Sequence, residues 1–404
     1  MPDTQTIRLS RPKMAPGVQA EAMSAPCAAR PRLWLGAESS FGLALPDATP
    51  SDATMYAPRG VWLDDDRLVV CDSGNHRVLI WNSVPVDNHT PADVVLGQPD
   101  FATEGPNARG AGPENGFHLP TGVIVLDGKL LVADAWNHRV LVWRTMPDAS
   151  GAPPDYAIGQ GDLTQSDVNR GQAAASRRSM NWPYGIAWIR GRLYVADTGN
   201  RRVLAWEGLP DGDRPADLVL GQPDDTGSEE NRGGPVAADS FRWPHDFAGV
   251  GDQLFIADAG NHRVLGWNKP PAVDRAADFL LGQEGFDRAY ELPYDAQGPQ
   301  RLRFPYAVAS EGNVLAVADT ANNRVLFWRA PLEPAVNAPA FDVVGQVDFA
   351  SNGENRWQSV MPETLCWPYG LCLHRGVLAV ADSGNNRVML WDCEKVFNDA
   401  AEDR

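Results

Sequence analysis

The sequence predicts an all-β protein: a six-bladed β-propeller of four-stranded antiparallel blades, closed by an N-terminal strand that completes the last blade. Three observations support this prediction. A ten-residue phrase, DSGNHRVLIW at 72–81, returns five more times, and the aspartates that open the copies are 62, 63, 61, 61 and 63 residues apart. A fixed period of this kind is typical of a repeated structural unit. Each unit also contains four strand patterns, and the last unit lacks one that the N-terminus supplies.

The strands are short and apolar. In the first unit the two middle strands are expected at Leu68–Asp72 and Arg77–Trp81, and both are almost entirely apolar, as strands buried on both faces usually are. No segment of the unit has the length and period of a helix. Four antiparallel strands that stack against the next unit are typical of a propeller blade.

The closure of the ring can also be predicted. Only 13 residues follow Trp391, and they contain no strand pattern, whereas RLWLGAESSF at 32–41 is similar to the fourth-strand pattern VLGQPDF. We therefore expect strand 32–35 to complete the sixth blade, which leaves no open seam in the ring. The expected organisation is a flexible N-terminal lead-in at 1–31, one propeller at 32–393 and a C-terminal tail at 394–404. An open solenoid is the alternative, but it would need polar terminal repeats, which this chain lacks.

The repeated residues suit the building of a blade. Asp, Asn and Gly favour a tight turn between the two middle strands. The invariant arginine is expected to hold a carboxylate of its own or the adjacent blade through two parallel hydrogen bonds, and the closing tryptophan to pack between blades. Because these residues recur in every unit, we interpret them as structural.

The phrase DxxNxRVxxW, with Pro-x-Gly-Val and a Leu-x-Val-Ala-Asp strand before it, resembles the NHL repeat. The similarity is greatest at Asn75–Val78, Asn137–Val140 and Asn261–Val264, and it extends over 32–393. The resemblance implies a six-bladed NHL propeller. It leaves the function open, because NHL propellers include RNA binders, protein-binding scaffolds, sensor domains and a lyase.

Function is expected where the six copies differ. The residue after each repeated proline should surround the mouth of the central channel, where polar and aromatic groups would form a ligand site. The alternative is that any channel mouth needs water-tolerant residues. This candidate ligand-binding set is Arg59, Thr121, Tyr184, His245, Tyr306 and Tyr369.

The hairpin tips and the long inter-blade loops are expected on the same face as the channel mouth, and long loops are commonly functional. An exposed tryptophan at a tip can anchor a partner, although Trp136 could instead pack under a neighbouring loop. The candidate partner-binding residues at the tips are His76, Trp136, His138, Arg201 and His262.

Composition narrows the function. The net charge of −17 makes nucleic acid an unfavourable partner. His245 is the only histidine among the channel-mouth residues, with His118 just ahead of the second blade, which is too few ligands for a catalytic zinc site. Asp246 is the only acid in the Pro-x-x triplets, so we predict no metal or other cofactor, with a divalent cation at the channel mouth as the alternative. No apolar run is long enough to span a membrane, and no secretory signal is visible, so a cytoplasmic location is expected. The prediction is a non-catalytic scaffold for a protein or peptide partner; the alternative is a small-ligand binder or metal-dependent lyase or hydrolase at the channel mouth.

Overall fold

The repeated ten residues form the two middle strands of every blade. The computed structural model describes residues 28–40, 42–46, 48–291, 297–333 and 337–397. These residues form six four-stranded antiparallel sheets, which confirms the predicted six-bladed propeller. The middle strands of the first blade cover Leu68–Asp72 and Arg77–Trp81, as predicted.

Twenty-six strands follow one another along the described chain. They are β1 Arg30–Gly36, β2 Ser39–Ser40, β3 Leu43–Ala44, β4 Gly60–Leu63, β5 Leu68–Asp72, β6 Arg77–Trp81, β7 Val94–Leu96, β8 Pro120–Leu126, β9 Lys129–Asp134, β10 Arg139–Trp143, β11 Tyr156–Ile158, β12 Pro183–Ile189, β13 Arg192–Asp197, β14 Arg202–Glu207, β15 Leu218–Leu220, β16 Pro244–Val250, β17 Gln253–Asp258, β18 Arg263–Trp267, β19 Phe279–Leu281, β20 Pro305–Glu311, β21 Val314–Asp319, β22 Arg324–Arg329, β23 Asp342–Val344, β24 Pro368–His374, β25 Val377–Asp382 and β26 Arg387–Asp392.

Short helical turns connect these strands. At the hairpin tips they are Ser73–Asn75, Ala135–Asn137, Thr198–Asn200, Ala259–Asn261, Thr320–Asn322 and Ser383–Asn385; in the inter-blade loops they are Pro106–Gly110, Pro113–Asn115, Val168–Gly171, Glu230–Gly233 and Glu354–Trp357. Among the described residues, no helix has the length and apolar character needed to cross a membrane.

Blades 1 to 5 are each built from four consecutive strands, and β4, β8, β12, β16, β20 and β24 are the inner strands. Inner strands of consecutive blades pack side by side, and β24 of blade 6 returns to β4, so the six strands surround a central channel. The hairpin tips and inter-blade loops lie at the end where the inner strands begin. We call this end the loop face and the opposite end the far face.

The invariant arginine connects each blade to the loops beside it. In blade 1, Arg77 Nε donates to Asp72 Oδ2 at 2.7 Å, and the guanidinium Nη atoms donate to the carbonyls of Phe101, Ser51 and Thr54. The Nε–Oδ2 distance is 2.7–2.9 Å in all six blades, and both side chains are fully buried each time. The structural interpretation of these residues fits this burial, but the expected pair of parallel hydrogen bonds to a carboxylate was wrong: Nε binds the carboxylate, and the Nη atoms bind loop carbonyls, except that Nη1 of Arg387 makes no hydrogen bond within the described chain.

The ring closes as predicted. Strand β1 pairs with β26, with Arg30 opposite Asp392 and Gly36 opposite Arg387, so the N-terminal strand is the outer strand of blade 6. Most of the predicted lead-in at 1–31 and of the predicted tail at 394–404 lies outside the described residues. Strand β1 begins at Arg30, and Val396 is fully buried in a cluster that includes Ala29. Both chain ends of the described propeller therefore lie at the far face.

Candidate functional site

The six residues predicted at the channel mouth do converge on the axis. The rings of Tyr184 and His245 are 4.3 Å apart, those of His245 and Tyr306 are 4.4 Å apart and nearly parallel, and those of Tyr306 and Tyr369 are 4.7 Å apart. The Arg59 guanidinium lies 4.9 Å from the centre of the Tyr369 ring. We call these five side chains, with Thr121, the axial ring.

The axial ring is packed. Tyr184 and His245 are only 3% and 2% exposed, and the Thr121 hydroxyl donates to the Tyr184 carbonyl at 3.0 Å. His245 Nδ1 lies 2.9 Å from the Trp243 carbonyl, and burial lowers the pKa of His245 to about 3, so the ring is neutral and donates from Nδ1. The expected open mouth at the loop face is therefore a plug of stacked side chains.

The cavity lies below this plug. A channel of about 610 Å³ runs between the inner strands, from the axial ring toward the far face. Apolar residues such as Val123, Ile186 and Phe247 line its middle, and the exposed residues Asp127 and Arg190 lie at its far end. The axial ring therefore obstructs the channel at the loop face, although Arg59, Tyr306 and Tyr369 remain partly exposed, and the channel reaches solvent at the far face.

One residue of the channel has no counterpart in the other blades. The second residue after the repeated proline is glycine in four blades, because the backbone of the next inner strand is too close for a side chain: a Cβ at Gly185 would lie 2.1 Å from the His245 carbonyl oxygen. In blade 4 this residue is Asp246, whose Oδ2 accepts the Val308 N–H at 3.1 Å. Burial raises the pKa of Asp246 to about 7. In the sequence, Asp246 stands out only as the one acid at this position of the six repeats.

The predicted tip residues lie at the loop face, and three of them contact the next blade. His76 Nδ1 accepts the Leu119 N–H at 3.0 Å, and His138 Nδ1 accepts the Trp182 N–H at 2.9 Å. His262 Nδ1 accepts an N–H from blade 5 at 3.2 Å. We call these contacts tip-to-strand hydrogen bonds. Burial lowers the pKa of each of the three histidines to about 4, so at neutral pH the imidazoles are uncharged and can accept.

These hydrogen bonds accompany an unusual backbone. The residue whose N–H donates each bond stands before the repeated proline and has a φ of 48–62°, a left-handed conformation that bulky residues seldom adopt. In blades 5 and 6 the acceptors are Asn323 and Asn386, which make the same contact through Oδ1. Arg201 is the exception, because a guanidinium cannot accept a hydrogen bond. The residue opposite Arg201, Trp243, does not have a positive φ.

Trp136 is the most exposed of the predicted tip residues. Half of its surface (51%) is accessible, and its ring meets His118 edge-on at 4.9 Å. It is therefore not covered by a neighbouring loop. A role for the five tip residues in partner binding stays a prediction, since three of them already serve the contact between blades.

The described residues contain no group of three or more His, Cys, Asp or Glu side chains arranged to hold a metal ion. In the channel, His245 and Asp246 are the nearest candidates, and His245 uses one ring nitrogen on the Trp243 carbonyl.

Comparison with known proteins adds family information. Residues 55–81 match the family model described as NHL repeat. The chain is 25% identical over 380 residues to NHL repeat-containing protein 2 of Homo sapiens and 25% identical over 381 residues to that of Bos taurus, and each alignment covers 86% of this chain and 48% of the relative. The chain thus spans about half the length of the curated relatives it matches.

Solved structures also match. Hydrazine synthase of Kuenenia stuttgartiensis aligns with a TM-score of 0.45 and 12% identity, covering 87% of this chain and 98% of that one. BamB from Moraxella catarrhalis aligns with a TM-score of 0.38 and 13% identity, covering 86% and 74%.

Proposed function

Because this chain is an NHL-repeat protein folded as a six-bladed propeller, we propose that it is a non-catalytic scaffold that binds a protein or peptide partner through its loop face. NHL propellers generally mediate protein interactions. The stacking of the axial ring also favours this proposal, since a small substrate arriving at the loop face would meet packed side chains.

The distribution of exposed apolar side chains carries the proposal. Of the twelve large hydrophobic residues that are well exposed in the described chain, Val86 and Val273 lie in loops at the far face. The other ten lie at the loop face or in its inter-blade loops. They are Leu43, Leu45, Tyr56, Trp136, Val168, Tyr290, Val347, Trp357, Met361 and Trp367. Apolar surface concentrated on one face of a protein commonly marks an interaction site.

Half of these ten residues belong to one sector beside blade 6. The short β2–β3 hairpin carries Leu43 and Leu45, and the Val360 N–H donates to the Gly42 carbonyl at 3.0 Å, which joins this hairpin to the loop that precedes blade 6. The same loop carries Met361 and Trp357, and Trp367 follows at its end. We call Leu43, Leu45, Trp357, Met361 and Trp367 the blade-6 patch.

The two tryptophans have the properties of binding anchors. Trp357 is 80% exposed and Trp367 is 37% exposed, and the Trp367 Nε1–H donates to Glu354 Oε1 at 3.0 Å, which orients its ring. Oriented aromatic side chains supply much of the free energy of many protein interfaces. The net charge of −17 favours a neutral or basic partner over an acidic one. The free thiols of Cys71, Cys366 and Cys372 are compatible with the cytoplasmic location that we propose.

The proposal can be tested with two matched double variants. Trp357→Ser with Trp367→Ser changes the blade-6 patch, whereas Val86→Ser with Val273→Ser changes equally exposed residues at the far face. Proteins captured from the native host by the unaltered chain are identified, purified and measured for direct binding. We expect loss of at least about tenfold in affinity for the first variant and no change for the second. A purified partner that binds both variants equally, or that is lost only with the far-face variant, would contradict the proposal.

A further inference from the structure

The loop-face end of the channel contains Arg59, an arginine with no acidic partner among the described residues. The six repeat arginines each bind an aspartate, but Arg59 has no ion pair among the described residues, and its Nε is buried without a hydrogen-bond partner. Its guanidinium faces the phenol rings of Tyr184, Tyr306 and Tyr369. A partly buried cation without an anion costs free energy, some of which an anionic ligand would recover.

Tyr184 lies beside this arginine and is also incompletely satisfied. Thr121 is small, so Arg59 reaches across blade 2 to the neighbourhood of the Tyr184 phenol. The Tyr184 hydroxyl is buried and makes no hydrogen bond of good geometry. Burial raises the pKa of Tyr184 well above its usual value, so the hydroxyl keeps its proton and can donate it. Two kinds of donor thus meet at one end of the cavity.

The rest of the channel has a different character. Both Arg59 and Tyr184 line the cavity, whereas its middle is lined by apolar side chains such as Val61, Val123 and Phe247. Its volume of about 610 Å³ is within the range of small-molecule sites. A ligand that fits this tube has one anionic end and an apolar body, and the far face is its wider entrance, because stacked side chains obstruct the loop face.

We propose that the central channel binds a small monocarboxylate with an apolar body, whose carboxylate accepts hydrogen bonds from Arg59 and Tyr184. The planar guanidinium matches a carboxylate through two parallel hydrogen bonds. A single arginine among apolar walls suits one negative charge better than a phosphate dianion, which would lose more hydration. This site is separate from the partner surface at the loop face, and either can fail without the other.

The ionisation of Asp246 is expected to weaken carboxylate binding at this site. Its carboxyl lines the same channel and has no cationic partner among the ion pairs of the described residues. An ionised Asp246 would repel a bound carboxylate, whereas the protonated form would not. Replacing it by asparagine removes this repulsion and keeps an oxygen that can accept the Val308 N–H.

The experiment uses octanoate as the probe and 1-octanol as its uncharged match, with binding to the full chain measured by calorimetry. We expect one octanoate per chain and at least about tenfold weaker binding of 1-octanol. Arg59→Met should weaken octanoate binding by at least about tenfold, and Tyr184→Phe by a few-fold. Asp246→Asn should strengthen it at pH 8.

Several results would overturn the proposal. They are no octanoate binding up to about 10 mM, equal binding of octanoate and 1-octanol, or unchanged octanoate binding by Arg59→Met. Arg190→Met controls for the other cation of the channel, at the far end; loss of binding there but not with Arg59→Met would place the carboxylate at the opening and contradict the assignment. The melting temperature distinguishes a ligand-binding role of Arg59 from a structural one. Arg59→Met removes a charge that has no ion-pair partner among the described residues, so it should not lower the melting temperature.

Discussion

Replacing Arg202 by methionine is expected to destabilise the propeller by about 3–5 kcal/mol, the usual result of removing one partner of a buried ion pair. Arg202 is fully buried and donates to Asp197 Oδ2 at 2.7 Å, to the Asp225 carbonyl at 2.6 Å and to the Ser176 carbonyl at 2.7 Å. Methionine preserves most of the side-chain volume, so the loss reports the charge and the hydrogen bonds rather than a cavity.

The measurement is urea unfolding at pH 7, followed by tryptophan fluorescence. The double variant Asp197→Asn with Arg202→Met should lose less stability than the sum of the two single variants, because it leaves no buried charge without a partner. Arg178→Met is the control: its ion pair with Asp213 is half-exposed, and its loss should cost no more than about 1 kcal/mol. A loss below about 1 kcal/mol for Arg202→Met, or a loss equal to that of the control, would refute the structural role of the repeat arginine.

The tip-to-strand hydrogen bonds lead to three further predictions and the glycine contacts to one, all measured by urea unfolding. His138→Ala leaves a buried backbone N–H without an acceptor and should cost about 1–3 kcal/mol, whereas His138→Asn should be nearly neutral, since asparagine makes this contact in two other blades. Arg201→Asn should not add this contact, because Trp243 lacks the positive φ of the other donors and its N–H already donates to Asp258 Oδ1 at 3.4 Å; stability should change by less than about 1 kcal/mol, and a larger gain would contradict this. The pKa of His262 is about 4 in the folded chain and about 6.5 in the unfolded chain, so the unfolded chain binds more protons between these values. The stability that neutral His262 contributes should be fully present above pH 6.5 and should fall toward pH 4. His262→Asn should show a smaller fall over the same range. Gly185→Ala places a Cβ 2.1 Å from a carbonyl of the next blade and should cost more than about 2 kcal/mol, while Gly212→Ala, in open space, should change little.

Much of the architecture could be predicted because it is encoded locally. The spacing of the aspartates fixes the number of blades, and the apolar run of each middle strand requires burial on both faces. The missing fourth strand after Trp391 pointed directly to the N-terminal segment, and β1 takes that place. Each of these features is visible as a pattern of residue types in the printed sequence.

The remaining features depend on contacts between blades. The sequence placed Tyr184 and His245 at the axis, but their packing into a plug depends on the diameter of the assembled ring. The tip histidines suggested a surface, whereas His138 Nδ1 binds a backbone N–H that lies 44 positions later in the chain. Likewise, Arg77 binds loop carbonyls. Such contacts cannot be predicted from residue types, because every residue carries the same backbone carbonyl group.

The pairing of β1 with β26 also has a consequence for how the ring is made. Strand β1, the outer partner of β26, is the first strand of the propeller to be synthesised, and it can pair only after β26, the last strand, has been synthesised. Until then β26 has an unpaired edge and β1 has no sheet at all. Ring closure is therefore a late step in folding, and the interval before it is when this protein is most exposed to pairing with another chain.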